Sequence, residues 1–297
     1  IMPATCCTGA VTYRDSGPLK RDLANFKTAL ERGKPVEAFL NAASPGVLIN
    51  FIPDRFYRRE EAYLAALADA MQTEYEAITD AGFILQIDAP DIAMTRNTRH
   101  AGKSDDDFVS IAERNIEALN HATRNIAPEK MRLHLCWGNY AGPHKNDIEL
   151  RKIMKVVLKS RASAISFEGA NPRHEHEWED WKEARIADDK ILIPGVIDSA
   201  CNFVEHPRLV AQRIGRFAKI VGRERVIAGV DCGFGTFASK QPVATTVVWS
   251  KLKALAEGEI AALRANAKTS AQSRKEEIAK EKKALLGLKV RQLLPEI

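Results

Sequence analysis

The sequence predicts an α/β fold built on a parallel sheet, either a (β/α)8 barrel or an open doubly wound sheet. Three observations predict it. Short apolar, β-branched runs alternate with longer stretches of helical period, and such alternation implies parallel strands joined by right-handed crossovers. The length, 297 residues, fits one large domain of this kind or two smaller ones. Polar or reactive residues close the strand-like runs, at Asp88, Cys136, Glu168, Asp198 and Asp231. Both architectures keep their chemistry at that edge.

Taken in order, the first and weakest strand candidate is ATCCTGAV at 4–11. GVLINF (46–51), FILQID (83–88), MRLHLC (131–136), SAISFE (163–168), ILIPGVID (191–198) and RVIAGVD (225–231) are stronger. A helix is expected over 60–80, with Leu64, Leu67, Met71, Tyr75 and Ile78 on one stripe and a stop at Gly82. Another is expected over 105–126 behind Ser104 as N-cap, with Phe108, Ile111, Asn115, Leu119 and Ile126 aligned. A third spans 208–221, between Pro207 in its first turn and Gly222 beyond its end. Six good strands are two short of a barrel, so the missing pair would precede residue 1. The Ile before Met2 agrees with a chain that begins inside a longer protein. The barrel domain is expected over 1–261, and 262–297 as a charged C-terminal helical extension packing outside it or serving as a partner-binding arm.

Composition excludes several function classes. The net charge of +5 comes from basic residues scattered among acids, and RKEEIAKEKK at 274–283 mixes both signs as a solvated helix face does. No aromatic residues interleave with a basic stripe, so nucleic acid is not an expected partner. No run of about 18 uncharged apolar residues exists, so a membrane span is not expected either. IMPATCCTGA lacks the features of a secretory signal, and five irregularly spaced cysteines argue against a disulfide framework. A reducing, cytoplasmic compartment follows as the expectation.

His134 and Cys136 stand at i and i+2 of a strand, so their side chains leave one face. Alone, the pair could be core filler, a catalytic pair or half a metal site. Glu168 and Cys232 change the balance. Glu168 ends an apolar strand, where a carboxylate is costly unless paired or bound to a cation, and Cys232 follows another strand directly before a glycine turn. One imidazole, two thiolates and one carboxylate at three strand ends suit Zn²⁺. Two thiolates make zinc a poor activator of water, whereas an incoming thiol can bind it and lose its proton. Such a thiolate is the nucleophile that S-alkylation needs.

HLC, FEGANPRHEHEW, GVID and GVDCGFG, in that order, resemble the C-terminal catalytic barrel of the cobalamin-independent methionine synthases. QIDAP resembles that family's QIDEP strand end, and SPGVLINF its threonine-glycine-proline-valine strand. The resemblance runs from about residue 3 to 260 and is nearest the short, single-barrel branch compared with epoxyalkane:coenzyme M transferase. It implies a (β/α)8 TIM-type barrel of the methionine synthase and uroporphyrinogen decarboxylase type, here lacking its first two strands. It also implies zinc held by His134, Cys136, Glu168 and Cys232, and methyl or alkyl transfer onto a thiol bound as zinc thiolate. Asp88 would lie in the thiol-substrate pocket. A methyltetrahydrofolate-type donor is one co-substrate the resemblance allows. Three departures stand out: Ala89 replaces the acid after QID, Ala200 stands where the synthase has a histidine, and the first two strands have no counterpart.

Further candidates surround this set. Arg173, in NPRHEHEW, suits an anionic substrate group. Trp137 and His144 lie just past the ligand pair, Trp137 as a pocket wall; His144 or His206 could supply a proton if the reaction opened an epoxide. Asp198 and Asp231 would orient loops or the ligands themselves, while Cys6 and Cys7 read as core or free thiols. GFGTFA (233–238) fits a dinucleotide fingerprint, but no acidic strand end follows about twenty residues on. The expected partners are a small-molecule thiol and a methyl or alkyl donor, with a homo-oligomer left open. Two other readings compete: a non-catalytic protein with structural zinc acting through its charged tail, and a metal-free decarboxylase-like barrel, against which the Cys/His/Glu/Cys set speaks.

Overall fold

The computed structural model describes residues 5–235 and 242–264. Its centre is a six-stranded, curled, wholly parallel sheet in sequential order: β1 (Phe39–Ala43), β2 (Ile84–Asp88), β3 (Met131–Leu135), β4 (Ala164–Phe167), β5 (Ile191–Ile197) and β6 (Gly229–Val230). The crossovers carry α2 (Pro45–Phe51), α3 (Glu60–Asp80), α4 (Asp105–Ala122), α5 (Leu150–Val157), α6 (Trp178–Glu183) and α7 (Pro207–Val221). Helix α1 (Gly17–Gly33) precedes the sheet, and a last helix, α8, spans 245–264. Among the described residues β1 pairs only with β2, and β6 only with β5. The α/β class is therefore observed, while an eight-stranded closed barrel is not formed by these residues. None of the described helices is long and apolar enough to cross a membrane.

The strands read as apolar runs, yet they alternate. Leu85, Ile87, Leu133, Leu135, Ile165 and Phe167 point one way, into a core shared with Tyr75, Ile78, Phe108 and Ile116 of α3 and α4. Each such fully buried side chain contributes about 1.5–3 kcal/mol. The alternate positions carry the polar side chains. Registers Asp88↔His134 and His134↔Ser166 put Asp88, His134 and Ser166 in one row across three strands. Period-2 geometry thus separates a dry helix-facing side from a reactive one.

Several expected elements hold. Helix α3 covers 60–80, and Ser104 caps α4 by accepting a hydrogen bond from Asp107 N at 3.1 Å. Helix α7 begins at Pro207 and ends before Gly222, whose φ of +87° suits only glycine without strain. Others need correction. GVLINF is not a strand but the body of α2. Ser44 Oγ accepts from Val47 N and Pro45 opens the first turn, which starts a helix; the strand is FLNAA just before it, where Asn41 and two alanines weaken the strand signal. Helix α4 stops at Ala122, short of 126. Of 225–231 only Gly229–Val230 forms a strand, with Val226 adding an isolated parallel bridge to Leu192, because Arg223–Arg225 form a 3₁₀ turn and the register slips between Gly195 and Ile197. Of the segment 4–11, the described residues 5–11 contribute a single bridge, Cys7 to Asp54. Helix α1 was not expected, although Leu19, Leu23, Phe26 and Leu30 recur at helical spacing and pack on the core. Helix α8 runs across the boundary expected at 261; residues 265–297 of the extension, and 236–238 of GFGTFA, lie outside the described residues.

Candidate metal centre

Strand β3 delivers His134 and, one step past its end, Cys136 on the same face. Gly138, with φ +95°, then turns the chain sharply; a Cβ there would sit 2.9 Å from Met94 Cγ. The turn brings Gly138 N to donate to Cys136 Sγ at 3.2 Å. Cys232 arrives from beyond β6, and its sulfur lies 3.3 Å from that of Cys136. His134, Cys136 and Cys232 each offer a ligand atom within 4.8 Å of the others, and this is the only such three-residue group among the described residues.

The local electrostatics follow from that proximity. The hydrogen bond with Cys232, followed by that with His134, lowers the Cys136 thiol, against the opposing effect of burial. Burial, and then the neighbouring Cys136 sulfur, raise the Cys232 thiol. For His134 burial opposes the charge, but Cys136, Asp88 and Glu168 outweigh it and the net shift is upward. One ring nitrogen, Nδ1, is paired with Ser166 Oγ at 3.3 Å, so the other is the one available to a cation. One imidazole and two sulfurs, of which one readily becomes a thiolate, fit Zn²⁺ in donor chemistry.

Glu168 stands at the margin of this group. Its Oε1 is 3.6 Å from Cys232 Sγ, and it is fully engaged otherwise: Trp137 N donates to Oε1 at 2.9 Å, Asn171 Nδ2 to Oε2 at 2.8 Å and Arg173 Nη2 to Oε2 at 3.3 Å. Arg173 also donates to Asn139 Oδ1 at 2.9 Å. Behind Glu168, the fully buried Asp231 accepts from the backbone N–H groups of Gly169, Ala170 and Asn171, and from Asn171 Nδ2. Burial pushes the Asp231 carboxyl up to about 7. That carboxylate shapes the loop that aims Glu168.

The remaining expected residues divide. Asp88 neighbours His134 across the β2–β3 register, and burial raises its carboxyl. Trp137 is buried, donates Nε1–H to Ile148 O at 2.8 Å, and lies 4.3 Å from the His174 ring. It still lines a cavity of about 760 Å³ together with Phe51, Tyr57, Arg58, Met94 and Tyr140. His144 pairs with Asp147 Oδ2 at 2.8 Å, and exposed His206 caps α7 by accepting from Arg208 N at 3.1 Å. Neither shares a hydrogen bond with the His–Cys–Cys group. Asp198 holds its own loop by accepting from Ala200 N. Sequence reasoning missed Asn171 and Asn139 as partners of Glu168 and Arg173. The Asn-Pro-Arg run after Glu168 was the available signal for Asn171.

Burial also defines a second layer. His174 Nδ1 and Glu177 Oε2 share a hydrogen bond at 2.9 Å, while His174 Nε2 lies 3.8 Å from Asp147 Oδ2 and 4.0 Å from Glu168 Oε2. Burial lowers His174 to about 4, against the pull of Glu168 and Asp147, so the ring is neutral at pH 7.

A parallel α/β sheet with an imidazole and two thiols converging at its C-terminal strand ends places reactive side chains at the edge where α/β enzymes keep their chemistry. The chain belongs to the family described as cobalamin-independent synthase, catalytic domain, whose profile matches residues 33–257. Membership indicates a methyltransferase of the methionine synthase type. Among solved structures, the chain is similar to a B12-independent methionine synthase from Shewanella sp. W3-18-1, determined in complex with selenomethionine. The TM-score is 0.64 at 21% identity, over 87% of this chain and 70% of that one. No curated protein matches the chain.

Proposed function

We propose that this chain is a zinc-dependent transferase that moves a methyl or alkyl group onto a thiol. His134, Cys136 and Cys232 would hold the cation, with Glu168 as a fourth and exchangeable donor. The observation that carries this reading is the convergence of one ring nitrogen and two sulfurs from separate strand ends, beside a buried carboxylate. When bound, the cation supplies the positive charge that lowers the pKa of an incoming thiol.

The chain's own residues do the rest. Gly138 N–H stabilises charge on Cys136, and Ser166 orients the His134 ring. Trp137 N–H, Asn171 and Arg173 already donate hydrogen bonds to both oxygens of Glu168, so the side chain keeps partners when it leaves the cation. That makes it the donor best able to yield. Asp88, beside His134, would bind a polar group of the thiol substrate, and Arg173, about a quarter exposed, an anionic one. The adjoining cavity, walled by Trp137, Met94 and Phe51, would receive the methyl or alkyl donor, a methyltetrahydrofolate-type molecule among them, and exclude water from the transfer.

Metal analysis of the purified chain and of Cys232→Ser, with and without added homocysteine or coenzyme M, tests the reading. It expects one zinc per chain, strong loss in the variant, and an additional sulfur neighbour by X-ray absorption when a thiol is added. Zinc that never accepts the added sulfur would reduce the site to a structural one; absence of zinc would refute the ligand set.

A further inference from the structure

Helix α8 has two apolar faces, and among the described residues only one is covered. Lys251, Ala254, Gly258 and Ala262 are buried, and Gly258 sits so close to α7 that a Cβ would meet Val210 Cβ at 2.5 Å. On the opposite side, Trp249, Ala256, Ile260 and Leu263 recur at i, i+7, i+11 and i+14, which is one stripe of an α-helix. Trp249 is 68% exposed, Ile260 49% and Leu263 53%. Exposed Phe203 and Val204 lie near the same helix, since the Phe203 carbonyl accepts from Lys251 Nζ.

The charges beside the stripe say what fits it. Lys253 and Glu257 stand on one shoulder, four residues apart, with Nζ and Oε1 3.8 Å from each other. Place a second α8 antiparallel on the stripe, about a two-fold axis through the middle of that pair. Like shoulders then meet, and each Lys253 faces the Glu257 of the other copy. The same operation sets small Ala256 near the axis, where two helix backbones approach, and lays each Trp249 between Ile260 and Leu263 of the other copy. The shoulder of the stripe is complementary to itself in charge, as an isologous interface requires.

We propose that α8 is a homodimerisation surface, its occupant a second copy of this chain paired antiparallel through Trp249, Ile260 and Leu263 and flanked by reciprocal Lys253–Glu257 pairs. An interface of one helix per subunit is at the small end of specific interfaces, so the dimer is expected to dissociate at roughly micromolar concentration.

Sedimentation velocity on the full-length chain over a concentration series tests this, with circular dichroism confirming that each variant is folded. The wild type is expected to show a monomer–dimer equilibrium, and Trp249→Glu to be monomeric throughout. Lys253→Glu should weaken the dimer at least tenfold by setting a second carboxylate against Glu257 of the other copy, and the double variant Lys253→Glu/Glu257→Lys should restore it. A wild type that stays monomeric, as when the chain's own C-terminal segment covers the stripe, would overturn the proposal. So would a dimer indifferent to Trp249→Glu, or one weakened equally by the single and double charge variants.

Discussion

Two buried aspartates, on opposite sides of the site, solve the same problem at different cost. Asp231 follows β6 and gathers four N–H donors from the loop that carries Glu168. Asp91 lies just past β2 and joins Ser44 Oγ at the start of α2 to Asn115 Nδ2 of α4, the latter at 3.0 Å. Both are fully buried, and burial raises Asp231 to about 7 and Asp91 to about 6. Each also requires a glycine opposite: a Cβ on Gly195 would lie 2.0 Å from Asp231 Oδ1, and one on Gly46 2.0 Å from Asp91 Oδ2. They differ in what depends on them. Asp231 positions a candidate ligand, whereas Asp91 pins the helix that walls the cavity beside Trp137. Backbone donors cannot turn elsewhere when their acceptor is lost; a serine hydroxyl and a carboxamide can. The comparison predicts a rigid metal side and a more tolerant cavity side.

The largest expected effect is that of Asp231→Ala. It strands buried backbone N–H groups and should destabilise the fold by about 3–5 kcal/mol, with zinc affinity falling roughly tenfold or more. Asp91→Ala should cost about half as much and leave zinc content unchanged. Urea unfolding with metal analysis of both variants checks this, and equal effects on zinc would erase the distinction.

The next effect is in pH. Folded Asp91 titrates near 6, above the range of an unfolded aspartate, about 3.9. Between those values the folded chain keeps a proton that the unfolded chain has lost, so rising pH removes stability. The loss, about 3 kcal/mol for a shift of two units, is complete above pH 6. Asp91→Asn cannot titrate. Its stability relative to wild type should therefore improve from pH 4 to pH 7 by about 2–3 kcal/mol. A difference that stays flat across that range would mean Asp91 is not protonated when folded.

The smallest effect separates the two glycines. Gly195→Ala meets both the Asp231 carboxylate and its Cα, at 2.8 Å, so backbone must move, at a cost of about 2–3 kcal/mol. Gly46→Ala meets only the side chains of Asp91 and Asn115 at its three nearest contacts, which can yield, and should cost about 1 kcal/mol less. Thermal melts of the two variants rank them directly; the reverse order would contradict the rigid-versus-tolerant contrast.

Much of the fold was legible because its signals are local. The runs around β2, β3, β4 and β5 announced themselves by composition, and Ser104, Pro207 and Gly222 marked helix ends by capping chemistry. The failures have local causes too. The Ser44–Pro45 start turned an apolar run into α2, while Asn41 and two alanines concealed β1. At the site, His134, Cys136 and Cys232 were recognisable from their strand-end positions, and the structure brings them together. Glu168 was noticed for the same reason, but not the three donors that already engage it.

By itself, then, the sequence determined the alternation of strands and helices and which residue types stand at the strand ends, since period and capping act over a few residues. Only the tertiary structure decided who meets whom. Asp231 and Asn171 lie sixty positions apart, and Cys136 and Cys232 ninety-six. Those pairings depend on sheet register and on which loops the crossovers lay side by side, and no short-range pattern in the chain encodes them.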